Sequence, residues 1–162
     1  MTKPIIYQLI PRLWSNTNNT RIPSGTIEQN GSGKMNDIPP RALEAIRKLG
    51  TTHVWYTGVI EHAHCPDYSK YGISPDNPHI IKGQAGSPYA ISDYYDIDPD
   101  IAVSVPDRIK EFEELVKRTH DAGMKVIIDF VPNHVARRYH SDAAPAGIDD
   151  LGATDNDDLF FS

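Results

Sequence analysis

Lys125-Val126-Ile127-Ile128-Asp129-Phe130-Val131-Pro132-Asn133-His134 is the stretch on which the reading of this chain turns. The β-branched run Val126, Ile127, Ile128 begins three residues after Gly123. Such a run behind a helix stop predicts a strand buried on both faces, as in a parallel sheet. Asp129 stands where the run ends, Pro132 has no N–H to give a ladder, and Asn133 and His134 follow at once. A carboxylate, an amide and an imidazole where a buried strand meets a loop suit a site at the carboxyl edge of a parallel sheet.

Working back from that stretch, Ser104-Val105-Pro106-Asp107 has the form of a capping box. Behind it Ile109, Phe112, Leu115, Val116 and Ala122 mark the buried stripe of a helix that Gly123 ends. Glu113–Lys117 and Glu114–Arg118 are spaced as ion pairs on its outer face. An earlier unit repeats the pattern. Ile5-Ile6-Tyr7-Gln8-Leu9-Ile10 predicts a strand stopped by Pro11. Pro39-Pro40 opens a helix with Ala42, Leu43, Ile46 and Leu49 on one face, and Gly50 ends it. Thr52-His53-Val54-Trp55-Tyr56 predicts the next strand, so the segment is a βαβ unit. Residues 15–37, rich in Asn, Thr, Ser and Gly, read as a loop. Residues 57–103 read as a second loop, far longer than the ~12–15 residues usual for structureless connections, and loops of that length are more often functional than idle. It carries Tyr68, Tyr71, Tyr89, Tyr94 and Tyr95, most of which are expected to give it a small core of its own.

Composition narrows the function classes. With 162 residues the chain is long enough for one domain with a real core. A net charge of -6 argues against nucleic acid as a partner, since a phosphate backbone wants a basic face. No run is long and apolar enough to span a bilayer, so no membrane partner is expected. The first residues carry no signal-peptide core, which leaves a cytoplasmic chain, or a secreted or periplasmic one with its signal removed. Cys65 is the single cysteine, so an internal disulfide framework is excluded.

Asp129-Phe130-Val131-Pro132-Asn133-His134 resembles the first signature region of the α-amylase family of glycoside hydrolases. Ile6-Tyr7-Gln8-Leu9-Ile10-Pro11-Arg12 is similar to that family's opening barrel strand. Gly33-Lys34-Met35-Asn36-Asp37-Ile38 fits the turn into its first helix, and the run from Ser87-Pro88-Tyr89 to Asp98-Pro99 its tyrosine-bearing segment. The resemblance implies a (β/α)8 TIM-type barrel, of which the first three β-strands and two helices are expected here. Residues 1–136 would be the first part of the catalytic barrel, domain A, and residues 137–162 the start of the insertion after strand three, domain B. It also implies retaining cleavage of α-1,4-glucosidic bonds in starch-type α-glucans or maltooligosaccharides. By the same resemblance Tyr89 would stack on the sugar beside the scissile bond and His134 would hydrogen-bond that sugar's primary hydroxyl. Asp129 and Asp93 would support the site, and Asn133 would offer its side-chain oxygen to calcium, a cation that takes oxygen ligands at about 2.3–2.6 Å.

Retaining glycosidases need a nucleophilic carboxylate and a carboxylic acid about 5–5.5 Å apart. The resemblance places the family's three catalytic carboxylates on strands four, five and seven. None is therefore expected in this chain, and the remainder of the barrel is expected to lie outside it. Two other readings stay open. One is a non-catalytic half-barrel that holds an oligosaccharide or scaffolds a partner. The other is a zinc-dependent barrel hydrolase built on His62-Ala63-His64, whose spacing suits a metal, with His134 or Asp129 completing the set.

Overall fold

The computed structural model describes residues 3–151. Within them five strands form: β1 (Ile6–Leu9), β2 (His53–Tyr56), β3 (Ile60–His62), β4 (Ile91–Ile97) and β5 (Lys125–Ile128). The helices are α1 (Pro11–Trp14), α2 (Ile27–Asn30), α3 (Pro40–Lys48) and α4 (Arg108–Asp121), with short 3-10 turns between them. Strands β1, β2 and β5 make a parallel sheet in that order, with Gln8, Trp55 and Ile127 in one row. The connections β1–α3–β2 and β2–α4–β5 are the two expected crossover units.

One sheet face carries the core. Leu9, Val54 and Tyr56 are buried against Leu43 and Ile46 of α3 and Leu115 of α4. The Tyr56 hydroxyl donates to Thr119 Oγ1 at 2.7 Å, because the Thr119 proton is given to the Leu115 carbonyl at 2.8 Å. Full burial of that ring is therefore compatible with its polar tip. The opposite face is largely bare: Ile6 is 50% exposed, and Trp55 and Ile127 are only half-buried. The expectation that β5 is buried on both faces is thus corrected. Among the described residues it is an edge strand covered by helices on one side, and Ile128 is itself exposed.

The helices depart from the sequence reading in detail. Leu49 is exposed because α3 stops at Lys48, which turns Leu49 out of the helical stripe. On α4 the buried positions are Glu111, Leu115 and Thr119, and Ile109 is exposed. The stripe is displaced because Glu111 is drawn inward. Its two oxygens accept the backbone N–H groups of Val103 and Ser104 at 2.9 and 2.7 Å. Glu111, rather than Asp107, therefore closes the turn before the helix, and Ser104 Oγ donates to Asp107 Oδ2 at 2.7 Å. The ion pair on the outer face is Lys117–Asp121, since Arg118 reaches across to the Met35 carbonyl. Gly123, at φ +78°, turns the chain from α4 into β5, a conformation that costs a side chain dearly.

The largest difference lies in residues 57–103. Instead of an unstructured excursion, β3 and β4 pair antiparallel as a second, two-stranded sheet. The described architecture therefore has five strands rather than three, with α1 and α2 in addition to the two crossover helices. A second apolar cluster of Ile91, Val131 and Tyr139 joins the hairpin to the chain after β5. Residues 136–143 run along β4: Ala136 N–H donates to the Ile91 carbonyl at 2.7 Å and His140 N–H to the Ser92 carbonyl at 3.1 Å. Residues 152–162 of the expected insertion lie outside the described residues. Among the described residues no helix is long and apolar enough to cross a membrane.

Candidate functional site

The carboxyl edge of the parallel sheet gathers polar side chains from all three strands. Gln8 at the end of β1 donates through Nε2 to Thr57 Oγ1 at 2.8 Å, just past β2. Trp55 of β2 donates its indole N–H to Asp129 Oδ1, just past β5. The other oxygen, Asp129 Oδ2, is buried with no hydrogen-bond partner among the described residues. A half-satisfied carboxylate fixed at a sheet edge is available to a further donor.

Beyond Asp129 the chain opens a cleft of about 660 Å³, lined by Tyr94, Tyr95, Phe130, Asn133, His134 and Tyr139 among others. The Tyr94 hydroxyl donates to the Val131 carbonyl, and its ring lies 5.7 Å from those of Phe130 and Tyr139. The His134 imidazole is exposed, and Nδ1 lies 2.9 Å from Asn133 Oδ1. An amide oxygen can only accept, so Nδ1 carries the proton and Nε2 of the neutral ring is left to accept from a ligand.

Tyr89 is half-exposed and is not among the residues lining this cleft. It sits on the turn before β4, where its N–H donates to Ser87 Oγ at 3.3 Å. The preceding Pro88 closes on Gly58, two residues past β2, where a Cβ would stand 3.0 Å from the Pro88 Cβ. Asp93 is fully buried and ties segments together. Oδ1 accepts Tyr95 N–H and Ser141 Oγ–H at 2.7 and 2.8 Å, and Oδ2 accepts Ala143 N–H at 3.1 Å. It latches residues 141–143 onto β4 and does not reach the cleft lining.

His62 and His64 are buried in the hairpin, and neither Asp129 nor His134 joins them. Asp129 is held by Trp55 and His134 by Asn133, so the ligand set of a zinc hydrolase is not assembled in that form. Nor do the described residues build a calcium cage at Asn133. No cluster of carboxylates forms there, and its side-chain oxygen already faces His134. Calcium takes 6–8 oxygens, so the others would have to come from elsewhere.

The sequence reading passed over a set of buried acids around β4. Asp96 is clamped by Arg108, whose Nε donates to Oδ1 at 2.7 Å and whose Nη2 pairs with Oδ2. Glu61 on β3 receives the Ser92 hydroxyl at 3.2 Å. Burial, then the charges of Asp96, Asp93 and Asp98, push its carboxyl up to about 8. Burial also holds the His62 imidazole below its ordinary range. The recurrence of Asp93, Asp96, Asp98 and Asp100 within eight residues was the available signal.

Comparison with known proteins places these elements. The family described as "Alpha amylase, catalytic domain" matches residues 8–150. The amino acid transporter heavy chain SLC3A1 of Mus musculus is 27% identical over 83% of this chain and 14% of its own length. The trehalose-6-phosphate hydrolase of Bacillus subtilis is 27% identical over 85% of this chain and 18% of its own. Among solved structures, the noncanonic maltogenic alpha-amylase AmyB from Thermotoga neapolitana superposes with a TM-score of 0.52. It is 28% identical over 83% of this chain and 24% of that one. The chain thus spans less than a quarter of the length of each of these relatives. With the match running through both crossover units and through Asp129, Asn133 and His134, the chain belongs to the alpha-amylase catalytic-domain family.

Proposed function

We propose that this chain is the first part of the barrel of a retaining α-glucan hydrolase acting on α-1,4-glucosidic bonds in starch-type oligosaccharides. In this reading the carboxyl edge is one wall of the sugar cleft. His134 Nε2 accepts from a sugar hydroxyl, Asp129 receives a further donor on Oδ2, and aromatic rings offer flat apolar area to sugar C–H faces. The observation that carries the reading is the Trp55–Asp129 bond. It fixes the signature segment at the carboxyl edge, where barrel enzymes place their sites. Tyr89 belongs to the same wall in this reading, because Pro88 docks beside the carboxyl end of β2 while His134 follows β5, and those strands are neighbours.

The nucleophile, the acid/base and the stabilising carboxylate lie outside this chain in this reading, and no buried acid of the β3–β4 hairpin takes their place. Residues 1–136 then form the barrel portion and residues 137–162 the start of the insertion. The pure chain is expected to release no reducing sugar from soluble starch. Release above a heat-denatured control would overturn the placement of the catalytic carboxylates.

A second reading, a non-catalytic half-barrel, is favoured by one finding: a relative at 27% identity carries the name of a transporter heavy chain. Titration with maltoheptaose separates the two. Tight saturable binding supports the non-catalytic module, and weak binding supports one wall of a divided cleft.

A further inference from the structure

His64 lies two residues past β3, and Asp98 and Asp100 follow β4 directly. Each offers one ligand atom, and the three atoms lie within 4.8 Å of one another. All three residues are buried: His64 is 4% exposed, Asp98 0% and Asp100 2%. Register shifts on either side of Glu61 re-aim β3, so that His62 and Asp98 come together as well.

The hydrogen bonding there is incomplete in a specific way. Asp98 Oδ1 accepts Asp100 N–H at 2.8 Å, and Asp100 Oδ1 accepts the Tyr68 hydroxyl at 2.7 Å. Asp98 Oδ2, His64 Nδ1 and His62 Nε2 are buried with no hydrogen-bond partner among the described residues. His62 Nε2 approaches Asp98 Oδ2 to 3.2 Å without the alignment of a hydrogen bond. Buried polar atoms are rarely left so. The nearby cations do not account for them. Arg12 donates to the Ala85 carbonyl and Lys34 to the Asp100 carbonyl, each at 2.7 Å.

We propose that His64, Asp98 and Asp100 bind one divalent transition cation of the zinc class, as a structural staple of the β3–β4 hairpin. One imidazole nitrogen with two carboxylate oxygens is a donor set zinc accepts, at about 2.0–2.2 Å from the metal. Calcium and magnesium prefer oxygen alone. A water or His62 Nε2 supplies the fourth position. Tyr68 braces Asp100 through its hydroxyl and stands edge-on to the His64 ring at 5.4 Å, the outer-shell support that orients ligands. Asp100 also borders a cavity of about 370 Å³ shared with Arg12 and Ala85, which gives the ion a way in. Burial of all three ligands suits an ion that holds the hairpin together. None of the three lines the His134 cleft, so this site and the proposed function stand or fall separately.

The test is metal content. Chelator-treated chain, shown folded by circular dichroism, is dialysed against zinc and measured by elemental analysis. One zinc per chain is expected, with a rise in the thermal midpoint that chelator reverses. Asp100→Asn and His64→Ala are expected to lose the bound zinc, and His79→Ala, at an exposed histidine, to keep it. Because His64→Ala can also unfold the hairpin, the unmodified chain is loaded with cobalt as a second measurement, where a visible ligand-field band is expected. Folded chain that takes up neither zinc nor cobalt, or zinc retained in full by both folded variants, overturns the proposal.

Discussion

Replacing Glu61 by Gln removes one ionisable group from the middle of the acid cluster while keeping the shape and an acceptor for Ser92. The native carboxyl is raised from 4.5 to about 8, mainly by burial. An unfolded chain releases that proton near the ordinary glutamate value, about 4.3. Between those limits the native state holds a proton that the unfolded state has lost, so stability falls as pH rises through the window. The contribution is fully present below about pH 4.5 and is lost as pH climbs toward 8. At about 1.4 kcal/mol for each pH step of one, with the last step only partly realised, the parent loses about 3.5 kcal/mol from this group between pH 5 and pH 8. Glu61→Gln loses none of it. Urea denaturation of both proteins at pH 5 and pH 8 reads the difference. The variant should gain about 3.5 kcal/mol on the parent across that interval. A difference between the two proteins that stays constant from pH 5 to pH 8 would refute the argument, because it would mean Glu61 is already ionised in the fold.

Three further outcomes follow from the same contacts. Arg108→Met strands the fully buried Asp96 carboxylate, which should cost about 3–5 kcal/mol in urea denaturation. Adding Asp96→Asn should recover part of that loss. Trp55→Phe removes the donor to Asp129 and should cost about 1–3 kcal/mol. Asp129→Ala should then add less in that background than in the parent, the mark of a shared interaction in a double-mutant cycle. Soluble starch incubated with the pure chain should yield no reducing sugar, as a reading with the catalytic carboxylates elsewhere requires.

The parallel sheet was legible because its signals are local. Val126, Ile127 and Ile128 between Gly123 and Pro132 announce a strand without reference to the rest of the chain. Leu43 and Ile46 on α3 and Leu115 on α4 sit where the helical period puts them. Asp129, Asn133 and His134 could be singled out because an abrupt polar run after an apolar strand is hard to explain otherwise. The β3–β4 hairpin was not legible. Its inward positions are Glu61, His62, Asp93 and Asp96, which break the apolar alternation by which strands are recognised. Glu61, Asp93 and Asp96 are buried because partners elsewhere satisfy them, Ser92 for Glu61, Ser141 and Ala143 for Asp93 and Arg108 for Asp96, pairings that no single segment reveals. Glu111 misled for the same reason. A charged residue on a helix reads as outward until the backbone it caps is seen. Tyr94, which borders the cleft, looked like an ordinary loop aromatic because its partners Val131 and Tyr139 lie dozens of residues away.

The account stands most directly on whether sugar contacts the carboxyl edge beside His134. Isotopically labelled chain titrated with maltoheptaose and followed residue by residue by nuclear magnetic resonance decides it. Weak, saturable shifts confined to Asp129, Phe130, Asn133, His134 and the rings of Tyr89, Tyr94 and Tyr95 are the predicted result. Shifts confined to surfaces away from that edge, or none at the highest sugar concentration, would contradict it.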